Sequence, residues 1–190
     1  MKFILESRLN WYEKVLITGS NLWYLGEGMF GPLFAVFAER VGGNVLDITW
    51  AWAIYLIIRG LLTIIVGAYS DGPARKAKIM VAGYALFTIF TFCYIFVNSP
   101  EALFLVQGGL GIATAMATPT WSSLFSHYGS KKHSGYAWGI AGGMADLVLA
   151  ISSLLGGLIV SYFSFTTLFV IMGIIQTIAT VYQARILRGH

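Results

Sequence analysis

The chain reads as long apolar runs separated by short polar breaks. Mostly apolar stretches lie at about 14–38, 49–70, 78–97, 101–124, 135–161 and 165–186. Each is long enough for a helix to cross the hydrocarbon core of a bilayer, which takes about 20 residues. The breaks GGNVLD (42–47), GAYSDGPARKAKIM (67–80), NSPE (98–101), HYGSKKHSG (127–135) and SYFSF (161–165) hold residues that punctuate helices. A transmembrane barrel would alternate strictly in segments of about 10 residues, and that alternation is missing from the sequence. The pattern predicts an all-α membrane protein: one domain, residues 1–190, of six transmembrane helices.

Composition sharpens this reading. Hydrophobic residues make up 57% of the chain and charged ones 11%, against about 25% charged in an average soluble domain. The basic balance becomes informative once the cations are placed. With the N-terminus inside, Lys2, Arg8, Lys14, Arg75, Lys76, Lys78, Lys131, Lys132, Arg185 and Arg188 fall on the inner side, and Arg40 alone falls outside. Lys and Arg collect in cytoplasmic loops, so both termini are expected in the cytoplasm and the chain in the cytoplasmic membrane. No basic face with interleaved aromatics remains for nucleic acid. Glu6, Arg8 and Glu13 interrupt the stretch where a cleaved signal would need its apolar core, and a short amphipathic lead-in fits better. Cys93 is the single cysteine, which allows no internal disulfide and no thiolate metal site. His127 and His133 flank two lysines and read as headgroup contacts. No metal and no cofactor is expected, and no motif for an intramembrane enzyme is found.

The break at 67–80 carries more than orientation requires. Its cations anchor the turn and Gly72 and Pro73 reverse the chain, but Asp71 has no part in either task. Gly67, Asp71, Arg75, Lys76 and Ile79 fit G-x-x-x-D-x-x-x-R-[KR]-x-x-[LI], and in this the chain resembles the major facilitator superfamily, whose second and third helices are joined by that loop. Tyr69, Gly72 and Ala74 depart from the family's usual Leu, Arg and Gly. VQGGLGIA (106–113) is similar to the family's fourth-helix Arg-x-x-Gln-Gly segment, with Phe104 in the Arg place. SSLLGGLIV (152–160) is similar to its fifth-helix Gly-Pro-x-x-Gly-Gly segment, with Ser152 and Ser153 for Gly-Pro.

The resemblance implies half of a major facilitator fold, built as two inverted three-helix repeats, with the third and sixth helices outermost. It also implies a gating role for the Gly67, Asp71, Arg75 and Lys76 loop, with Asp71 latching a neighbouring helix end. The family sets two such halves face to face around its substrate. The expected assembly is therefore a homodimer of half-transporters, a partner six-helix chain being the alternative.

Three ionisable residues lie deep inside spans: Glu27, Arg59 and Asp146. Charge at that depth costs about 2.5–3.5 kcal/mol or more, so it usually faces a cavity and serves function. Around these residues run stripes at helical spacing: Ser20, Trp23, Glu27 and Gly31; Trp52, Tyr55, Arg59 and Thr63; Gln107, Gly111, Thr114, Thr118 and Trp121. Buried packing between helices is the alternative reading of the threonines. The candidate substrate cavity is Trp23, Glu27, Trp52, Tyr55, Arg59, Thr63, Gln107, Thr114 and Thr118. Glu27 is the first candidate for proton coupling, since a carboxyl that gains or loses Arg59 as neighbour changes its protonation; Asp146 is the second. The acids and aromatics suit a lipophilic cation, and Arg59 suits an anion equally. Gly109, Ala113 and Ala117, and separately Gly139 and Gly143, form rows that let helices approach. Pro32 and Pro119 are expected to bend theirs. The function expected is secondary active transport of a small solute by alternating access, proton-coupled, with drug-like efflux favoured over nutrient uptake. A pore or scaffold is the competing class, but no re-entrant half-span supports it.

Overall fold

A computed structural model describes residues 9–70, 72–129 and 133–189. Asp71, Lys131 and Lys132, singled out above, lie outside the described residues, as do Lys2 and Arg8. The fold is almost wholly helical, with no strand among the described residues. Its helices are α1 (Trp11–Glu27), α2 (Phe34–Arg40), α3 (Val45–Tyr69), α4 (Pro73–Cys93), α5 (Pro100–Tyr128), α6 (Ser134–Tyr162) and α7 (Phe165–Gln183). The last five are long and apolar enough to cross a membrane. The first span is shared between α1, a 3-10 turn at Gly31–Leu33 and α2, so it is a broken helix where the apolar run predicts a continuous one. Six spans result.

Local chemistry explains the ends. Asn10 and Asn44 each close a capping box, accepting from the backbone of Glu13 and Asp47 and receiving the acid's carboxylate on their own N–H. Ser99 and Ser164 cap α5 and α7, and Pro100 opens α5 where its missing N–H costs nothing. Gly72 adopts φ 85°, a conformation that favours glycine, immediately before Pro73 starts α4. Pro119 sits inside α5 without ending it; Pro32 lies in the break of the first span.

The helices associate in a symmetric order. α5 runs along both α3 and α4, α1 runs along both α6 and α7, and α4 packs on α7. Exchanging the first three spans with the last three maps this list onto itself. That is the signature of two inverted three-helix repeats, and it makes the chain one six-helix half of the fold the resemblance implies. One end of the bundle, here the near end, holds Trp11, Tyr69, Pro73, Tyr128 and Ser134; the far end holds Arg40, Val45, Phe96 and Phe165.

Glycines set the closest approaches. A Cβ on Gly83 would lie 2.8 Å from the Ala113 carbonyl and from the Ala117 nitrogen, and one on Gly111 would lie 2.8 Å from the Tyr55 carbonyl. The row Gly109, Ala113 and Ala117 is thus the seam between α4 and α5. Gly139 and Gly143 face open space. At the far end Phe30, Phe37, Tyr94, Phe165 and Phe169 form an edge-to-face cluster, with Tyr94 and Phe169 stacked at 5.0 Å. At the near end Asn10 Nδ2 donates to the Tyr128 carbonyl at 2.6 Å and Tyr12 stacks on Tyr128 at 4.1 Å, clasping α1 to α5.

Candidate functional site

The break in the first span shapes the site. The stretch GEGMFGPLF (26–34) combines three glycines and a proline, and α1 stops at Glu27. In lipid the freed carbonyls need donors from protein, and α6 supplies them. Ser153 Oγ donates to the Gly28 carbonyl at 3.2 Å, and Ser152 Oγ lies 3.5 Å from the Tyr24 carbonyl, which also accepts from the Gly28 N–H at 2.8 Å. Gly156 leaves room for the Met29 backbone, whose carbonyl any added Cβ would strike. The serines standing for Gly-Pro in SSLLGG therefore brace the break, and the break presents Glu27 at a helix end.

Beyond the break lies a chamber of about 360 Å³. Glu27 lines it together with Phe30, Phe34, Trp52, Tyr55, Phe87 and Tyr94, while Gln107 and Thr91 add neutral polar groups. Trp52 stacks on Tyr55 at 5.3 Å. Tyr55 is buried, and its hydroxyl donates to Thr114 Oγ1 at 3.4 Å, tying α3 to α5. Phe87 and Met172 floor the chamber from α4 and α7, so the third and sixth spans form its back wall as well as the outside of the bundle.

The stripes separate in space. Arg59 and Thr63 line a lateral cleft of about 340 Å³ with Thr118 and Pro119, away from Glu27. The Arg59 guanidinium stands over the Tyr55 ring, 5.8 Å from its centroid, and still acts electrostatically on the Glu27 carboxylate. A third cavity, about 240 Å³, takes Ser20, Trp23, Tyr24, Thr118, Trp121 and Trp138. Its wall is fixed by Trp121 Nε1, which donates to the Leu16 carbonyl at 3.2 Å. Trp23 is buried edge-on against Phe87 at 4.7 Å. Asp146 is exposed on α6. Tyr24 lines the third cavity and escaped the stripes, although its place one turn before Glu27 on α1 was a signal available for it. Gly67 and Arg75 are exposed and Lys76 is half-buried; their partner in the loop motif, Asp71, is outside the described residues. Phe30, Phe34, Thr91 and Met172 escaped the stripes because they depend on the break and on the back wall.

Buried polar groups also lie behind the cavities. Gln183 and Gln176 of α7 sit in the notches left by Gly19 and Gly26 of α1, and neither carboxamide is fully satisfied within the described residues. A seven-residue step on both helices makes this a register device for the α1–α7 seam.

Comparison with known proteins agrees with this architecture. The sequence model of the Major Facilitator Superfamily matches residues 16–188. An uncharacterized MFS-type transporter of Methanocaldococcus jannaschii is 26% identical over 157 residues, which are 83% of this chain and 40% of that protein. A chloramphenicol resistance protein of Pseudomonas aeruginosa is 25% identical over 155 residues, 79% of this chain and 36% of that protein. The chain spans well under half the length of these relatives.

Proposed function

The chain belongs to the major facilitator superfamily of membrane transporters, and from that premise we propose that it is a secondary active transporter working by alternating access. In this reading two copies face each other across a central axis, and proton movement at Glu27 drives a drug-like solute outward. The membrane is the cytoplasmic one, with both termini in the cytoplasm, as the ten-to-one distribution of cations across the two sides supports.

The observation that carries this proposal is an uncovered polar wall. Asp146 is exposed on α6 and Arg59 partly so on α3, the two helices that the bundle leaves open, and Thr118 is exposed where α5 meets the cleft beside Arg59. Lipid is a poor solvent for ionised groups; a second six-helix unit opposite would enclose them in a wet cavity. The relative named for chloramphenicol resistance supports a drug-like cargo. Pairing with a separate six-helix chain for uptake would cover the same wall, and mass measurement separates the two assemblies.

The proton role has its own test. Glu27→Gln should abolish proton-linked transport in reconstituted vesicles while leaving counterflow of unlabelled against labelled substrate measurable. Unchanged proton-linked flux in that variant would refute the assignment, and flux that never saturates would favour a pore.

A further inference from the structure

The uncovered face carries a mid-membrane cation, Arg59, and a mid-membrane anion, Asp146. Among the described residues neither forms an ion pair. They sit on opposite edges of that face: α3 packs on α5, α5 meets α1 and α1 packs on α6, which leaves α3 and α6 as its two borders. Their depths agree. Arg59 lies ten residues from the near end of α3 at Tyr69, and Asp146 twelve residues from the near end of α6 at Ser134, a difference of about 3 Å at the rise of a helix. Beside them Gly60 and Gly143 are each nine residues from the near end, and a Cβ on either would meet nothing within 4 Å. Helices can close on each other at such places.

Symmetry turns this placement into a contact. A closed pair of identical chains is related by a two-fold axis, and its interface is reciprocal. Lys and Arg fall ten to one on one side, which supports a single direction of insertion and an axis along the membrane normal. Two like faces opposed about such an axis set the left edge of each against the right edge of the other. Helix α3 of one copy then meets α6 of its mate, twice. An inverted pair would instead lay α3 on α3 and oppose like charges.

We infer that Arg59 of each copy is neutralised by Asp146 of the partner subunit, so that two reciprocal ion pairs close the lateral clefts. The cleft that Arg59 lines with Gly60, Thr63 and Thr118, about 340 Å³, is incomplete without the partner's Asp146. A guanidinium does not give up its proton, so Arg59 needs a counter-ion once water is excluded, and a carboxyl facing a guanidinium keeps its charge. A second copy supplies both partners by symmetry, whereas an unrelated six-helix chain would need an acid and a base of its own at the two edges. This assignment rests on the two-copy reading above and deepens it by naming the helices and side chains that meet.

Charge reversal tests it in a form that misfolding cannot imitate. Two differently tagged full-length copies are co-expressed, and capture through one tag is scored by recovery of the other. Arg59→Asp paired with itself sets acid against acid at both contacts, and Asp146→Arg paired with itself sets base against base. Like charges across an interface are strongly unfavourable, so capture should fall about tenfold or more in each. Arg59→Asp co-expressed with Asp146→Arg restores both attractions, and capture should return to within about threefold of the wild type. Disulfide formation in a Cys93→Ser background reads the geometry separately. Gly60→Cys on one copy should join Gly143→Cys on the other, since a bridge needs Cα atoms within about 7 Å, and two Gly60→Cys copies should not join. A mixed pair captured no better than the like pairs, or two Gly60→Cys copies joined, would overturn the arrangement while leaving a two-copy transporter in place. Wild-type copies that never capture each other would remove the two-copy reading with it. Capture and rescue without counterflow in vesicles would uphold the contact and remove the transport reading.

Discussion

Helices α5 and α6 are each 29 residues long and both are rich in glycine, yet the bundle treats them differently. In α5, 61% of the most apolar stretch is buried, against 11% in α6. Added Cβ atoms on Gly109 and Gly111 would strike the Phe90 ring and the Tyr55 backbone, while at Gly135, Gly139, Gly142 and Gly143 nothing lies within 4 Å. Gly156, at the far end of α6, is the exception, pressed against Met29. Similar composition thus serves two ends. One helix uses its small residues to seat neighbours already present; the other leaves a smooth face uncovered, with Asp146 on it, which is the face the proposed second unit would cover. α3 repeats the second pattern, with Gly60 and Gly67 open and Arg59 beside them.

This contrast can be broken by moving one substitution between the two kinds of glycine. The largest effect is expected at the filled sites. Gly111→Leu or Gly156→Leu drives a side chain into backbone, and overpacking of that kind costs about 1–3 kcal/mol or more; size-exclusion profiles should show loss of folded protein. An intermediate effect is expected at open sites. Gly139→Leu and Gly143→Leu should leave melting of the single chain unchanged in detergent but abolish pairing and transport. If they unfold the chain as Gly111→Leu does, the distinction fails.

Asp146→Asn sharpens the comparison with a smaller effect. On a helix facing lipid, removal of a charge worth about 2.5–3.5 kcal/mol at mid-membrane should raise membrane insertion and stability. On a wall closed by a partner, stability should hold and transport should fall about tenfold. The second outcome is expected, read from paired melting and flux measurements.

How much of this was legible in the sequence follows from what each signal measures. The six spans and the half-fold were readable because lipid demands long apolar helices with all backbone groups satisfied inside them. Glu27, Arg59 and Asp146 were readable as unusual for the same reason. The break at Glu27 was legible only in part: Pro32 was expected to bend the first span, but a span-length average of hydropathy says nothing about the backbone path that stops α1 at Glu27. Nor could spacing divide the stripe Trp52, Tyr55, Arg59, Thr63 between chamber and cleft: helical periodicity fixes a face, and neighbouring helices decide how many cavities that face meets. Ser152 and Ser153 read as departures from a motif, and only the carbonyls they satisfy reveal their use.

The central claim is that a second six-helix unit covers the face shared by α3 and α6. The most direct measurement is the native mass of the assembly ejected from membrane vesicles that have just been shown to transport. The account predicts a complex holding two copies of the chain, lost together with transport in Gly139→Leu. A transport-competent assembly holding one copy and no other six-helix chain would contradict it.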